Sequence, residues 1–102
     1  MRRISSTMKR DIADIMTRKM KAKQTYVIRH ESVEQAIVIK SLIPKLFPDK
    51  HSLNQLSAYY LMETANKIAK DYTMDLISVD ILDDAPEGYW SIIIVLIEPT
   101  SI

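Results

Sequence analysis

At 102 residues, 47% hydrophobic and 26% charged, the chain has the make-up of one soluble domain, 1–102, large enough to build a core without covalent staples. It has no cysteine, which excludes disulfides, thiolate nucleophiles and Cys-ligated metal centres, and its single glycine, Gly88, leaves no phosphate-cradling loop or dinucleotide fingerprint. The net charge of +1 is unevenly spread: residues 1–23 hold eight basic and two acidic side chains, a local +6, and the other 79 hold six basic and eleven acidic, a local −5.

The basic arm comes first. Arg2 and Arg3 are not followed by the apolar stretch of a secretory signal, and Asp11 and Asp14 are foreign to an organelle transit peptide. Ser5, Ser6 and Thr7 offer N-cap hydroxyls, and Ile4, Met8, Ile12, Ile15, Met16 and Met20 recur at helical spacing, which predicts an amphipathic helix over 6–22. Tyr26, Val27 and Ile28 in a row predict a short strand over 24–30. Ser32 and Gln35 fit the ends of a capping box. With Val33, Ala36, Ile37, Ile39, Lys40 and Ile43 behind them, a second helix is expected over 33–43, ended by Pro44. A proline-punctuated loop, 45–50, leads to a second capping box at Ser52 and Gln55, and the stripe Leu61, Met62, Ala65, Ile68, Ala69 and Tyr72 predicts a third helix over 53–71. Residues 76–82 alternate as a strand, with Ile77, Val79 and Ile81 on one side. Residues 83–88 read as a turn, and 89–97 as a strand apolar on both faces. Such a strand belongs inside a sheet or at a subunit contact.

The expected fold is therefore α+β, three helices with a three-stranded antiparallel sheet whose middle strand is 89–97. Its element order, α-β-α-α-β-β, resembles that of a winged helix. The expected core includes Ile37, Leu61, Ala65, Ile68, Ile77, Val79, Ile92, Ile94 and Leu96, and no internal repeat is visible. The chemistry speaks against the groove-reading mode that the resemblance implies. Residues 52–71 offer Asn54, Gln55, Ser57, Tyr59, Tyr60 and Glu63, with Lys67 and Lys70 only at the end, and the turn where a wing would sit carries Asp83, Asp84 and Glu87.

Catalytic and metal readings find no pattern. His30 and His51 are the only histidines, and the extra ligands a metal would need, such as Glu31 or Asp49, fall into no motif. Asp80, Asp83, Asp84 and Glu87 lack calcium-loop spacing and read as a solvated turn. No enzyme activity, metal or cofactor is expected, and no stretch approaches the roughly 20 apolar residues of a membrane-spanning helix. The expectation is a small non-enzymatic, cytoplasmic protein-interaction module that self-associates as a homodimer or higher oligomer. Its interface residues would be Met8, Ile12, Ile15, Met16 and Met20, a stripe for which a small domain has little room, together with Tyr59 and Tyr60. The alternative is nucleic-acid binding, with Arg2, Arg3, Lys9, Arg10, Arg18, Lys19, Lys21 and Lys23 contacting phosphates without reading sequence.

Overall fold

Six elements follow one another in the computed structural model, which describes residues 4–45 and 58–99: α1 (Ser6–Met20), β1 (Gln24–Arg29), β2 (Ala36–Pro44), α2 (Ala58–Asp71), β3 (Asp75–Leu82) and β4 (Tyr89–Ile97). The four strands form one antiparallel sheet in the order β1-β2-β4-β3, and both helices lie on the same face of it. The described elements thus fall into two α-β-β halves, joined where β2 pairs with β4 through Ile37↔Leu96, Ile39↔Ile94 and Ser41↔Ile92. The sequence shows no repeat, so this symmetry lies in the backbone order alone.

This overturns the expected fold. Among the described residues there are two helices and a four-stranded sheet, not three helices and a three-stranded one, and the winged-helix order fails with them. The error sits at 33–43, where the expected helix is instead the strand β2. Ile37, Ile39, Ser41 and Ile43 point inward and Val38, Lys40 and Leu42 outward, a period of two, and β-branched residues favour that pleated surface. The presumed capping box makes the β1–β2 turn instead. The amides of Ser32 and Val33 donate to Nδ1 of His30 (3.1 and 3.2 Å), and the Ala36 amide donates to the Val33 carbonyl (3.1 Å). The expected helix over 53–71 is described from Ala58 onward; its earlier part, with the box at Ser52 and Gln55, lies outside the described residues.

α1 starts at Ser5, whose hydroxyl accepts the Met8 amide (3.0 Å), and stops at Lys21, which takes a left-handed conformation (φ 57°) that turns the chain into β1. Its apolar stripe, Met8, Ile12, Ile15, Met16 and Met20, meets Leu61, Ala65, Ile68 and Ala69 of α2 over the inner side chains of the sheet: Val27, Ile37, Ile39, Ile43, Ile92, Ile94 and Leu96. Ile12, Met16, Ile39, Ile68, Ile94 and Leu96 are wholly shielded from solvent. Two of the expected core residues differ. A β-bulge between Leu76 and Ser78 turns Ile77 out, 59% exposed, and shifts the alternation of β3, so that Val79 only half-buries beside the core with Leu76. At the far end of β4, Trp90 lies against the core with the Lys45 ammonium 4.5 Å from its ring centre.

Candidate interaction surface

With both helices on one side, the other face of the sheet carries no helix among the described residues. Register defines what it presents. One row across the strands reads Ile28, Val38, Val95 and Ser78; the next reads Tyr26, Lys40, Ile93 and Asp80; the third reads Gln24, Leu42, Ser91 and Leu82. An antiparallel sheet with one wet face ordinarily alternates apolar inward with polar outward. Here half of the outward residues in these rows are aliphatic: Ile28 is 51% exposed, Val38, Leu42, Leu82, Ile93 and Val95 are half-buried, and Tyr26 beside them is 57% exposed, with no described element layered above them.

The β3–β4 loop folds over one end of this face. Lys40 Nζ reaches Asp84 Oδ2 at 3.4 Å, and the Ser91 hydroxyl also bonds the Asp84 carboxylate, which buries Ser91 although it lies on the open face. The Ser91 bond first, and then the charge of Lys40, hold the Asp84 carboxyl below the usual carboxylate range, against the opposing effect of desolvation. The loop closes at Gly88 (φ 88°), whose carbonyl accepts the Lys45 amide (2.9 Å), while the Tyr89 amide bonds the Pro86 carbonyl (3.1 Å). Beneath it lies an open hollow of about 250 Å³ lined by Tyr26, Lys40, Leu42, Asp84, Pro86 and Ser91.

The residues singled out from sequence fall in several places. Met8, Ile12, Ile15, Met16 and Met20 are buried in the chain's own core, where α2 and the sheet cover them. Tyr59 and Tyr60 are exposed on the first turn of α2, packed edge to face with ring centres 5.9 Å apart, beside half-exposed Met62. Lys9, Arg10, Arg18, Lys19, Lys21 and Lys23 are all exposed, with Asp14 between Arg10 and Arg18 on the solvent side of α1. Lys23 reaches over the Tyr89 ring at 5.2 Å. Asp11 accepts from the Tyr72 hydroxyl (3.4 Å), and burial and then that carboxylate's charge raise the Tyr72 phenol above its ordinary value. Arg2, Arg3, Asp49 and His51 lie outside the described residues. Asp80, Asp83 and Glu87 are exposed, and among the described residues no three His, Asp or Glu side chains converge as a metal would need. Nor is any described helix long and apolar enough to cross a membrane.

Sequence reasoning missed the open face itself. The signal is present in the two-sided apolarity of 89–97 and in Tyr26 and Ile28, but it marks a face only once Val38 and Leu42 lie in a strand beside them. Comparison with family models, with curated proteins and with solved structures finds no match.

Proposed function

We propose that this protein is a small, non-enzymatic interaction module that self-associates through the open face of its sheet. The observation that carries this reading is the aliphatic character of that face: Ile28, Val38, Leu42, Ile93 and Val95 stand where a solvated sheet would carry polar side chains. From strand spacing and rise, the face covers about 500 Å² per copy, so a face-to-face pair buries about 1,000 Å², the lower limit for a stable specific interface. Its charges suit a copy of itself. A two-fold axis along β4 at Ile93 sets Lys40 of one copy toward Asp80 of the other, on either side of a shared aliphatic strip. Two sheets stacked about 10 Å apart would form a sandwich with helices on both outer surfaces.

The test is the molar mass in solution of the native chain beside Ile93→Lys, a change that places a charge in the strip without touching the core. The native chain is expected to exceed 11.8 kDa in a concentration-dependent way, and the variant to associate more weakly because the contact across the face is lost. A native chain that remains monomeric at tens of micromolar overturns the reading.

The exposed basic side of α1 supports a second, independent reading. Arg10, Arg18 and Lys21 face solvent on the side of the molecule opposite the open sheet face, so phosphate contact there would not compete with self-association.

A further inference from the structure

We infer that a second copy of this chain also joins through the edge of β1, antiparallel and centred on Val27, so that the four-stranded sheet continues across a two-fold axis into its mate.

The two edges of the sheet are unlike. β3 is defended: its ladder is broken by the bulge at Ile77, and Asp75 and Asp80 place exposed carboxylates along it. β1 has no such device. It pairs with β2 in unbroken register from Gln24 to Arg29, holds neither proline nor carboxylate, and presents half-exposed Tyr26 and Ile28. At its end the His30 amide donates to the Ala36 carbonyl (2.9 Å), continuing the register, which makes the even-numbered residues those hydrogen-bonded to β2. The backbone groups of Thr25 and Val27 consequently point out of the sheet.

Charge and parity choose the register. With Val27 opposite Val27, the outward-pointing groups of the two strands meet each other. Tyr26 of each copy then faces Ile28 of the other on the open face, an aromatic and β-branched pair of the kind that stabilises neighbouring strands. Lys23 of each copy falls opposite Glu31 of the other, just past the strand end, where its ammonium would leave the Tyr89 ring for that carboxylate. Centring on Tyr26 instead puts Lys23 against Arg29, two like charges, and centring on Ile28 leaves Lys23 beyond the paired stretch. Only the register at Val27 is complementary at both levels.

The experiment is a charge swap read by sedimentation equilibrium at low salt on the full chain. Lys23 and Glu31 are both exposed, so Lys23→Glu and Glu31→Lys leave the core intact, which circular dichroism checks. Each variant alone sets like charges together at both ends of the pair and is expected to associate roughly tenfold more weakly than the native chain. Mixed in equal amounts they restore attraction between positions 23 and 31 at both ends as a heterodimer, in the native sense at one end and reversed at the other, and association is expected to recover. Variants that associate as tightly as the native chain, or a mixture no tighter than its components, overturn the edge assignment. Repeating the swap with Ile93→Lys in every chain separates the two surfaces. Recovery on mixing in that background supports the edge whatever becomes of the open face, and its absence there removes the edge and leaves the face reading standing.

Discussion

Lys40 and Asp84 meet 3.4 Å apart across the open face of the sheet, one from the middle of β2 and the other from the loop that leaves β3. With the Ser91 hydroxyl on the same carboxylate, they tie that loop down over the strand it precedes. Asp84 is solvent-exposed, so the tie orders the loop more than it stabilises the fold.

Asp84 therefore titrates below an ordinary aspartate. Because its carboxyl is depressed in the folded chain, the tie is fully present above the unfolded carboxylate value and is lost as pH falls through the folded one. Carboxyl NMR should show Asp84 titrating below an unperturbed aspartate. Ser91→Ala should raise it, since Ser91 contributes the largest lowering. An unchanged Asp84 midpoint in that variant would show that the serine is not its partner.

The core account makes unequal claims about two isoleucines. Ile94, with no exposed surface at the joint between the two halves, should cost about 3 kcal/mol when truncated to alanine. Ile77→Ala, in the bulge, should fall within about 0.5 kcal/mol of native. Urea unfolding of the two variants checks both, and similar midpoints would place Ile77 in the core as the sequence alone suggested.

How much was legible follows from what each signal measures. Strand β4 was legible over its whole length, because a β-branched run bounded by Gly88 and Pro99 favours a strand whatever the neighbours are, even though only its inner face is buried in the core. Helix α1 was legible for the related reason that its stripe repeats at one period only. Strand β2 was not: Val33, Ala36, Ile37, Lys40 and Ile43 fit a helical template, and Ser32 with Gln35 fits a cap. The competing signal was the β-branched run at Ile37, Val38 and Ile39, which the sheet partners on both sides decided. The bulge at Ile77 left no mark in the sequence, since alternation looks unbroken there until the register with β4 is known. That one misread strand also concealed the candidate surface, two of whose rows run through Val38 and Leu42.

If the basic side of α1 contacts nucleic acid, replacing Arg10, Arg18 and Lys21 together by Gln should abolish retention on DNA or RNA while leaving helix content and mass unchanged. Native affinity on duplex DNA should fall with salt by a log–log slope of about −0.9 for each phosphate neutralised. No retention of the native chain at low salt would leave the charge as a solvated face.

The central claim, that two copies meet through the open sheet face, is tested most directly by isotope-filtered NMR on a mixture of labelled and unlabelled chains. Contacts between copies should arise from Val38, Ile93 and Val95 and vanish in Ile93→Lys. A sample of dimer mass whose contacts between copies come only from elsewhere, from Tyr59, Tyr60 and Met62 or from Tyr26 and Ile28, with those three aliphatic residues silent, would contradict it.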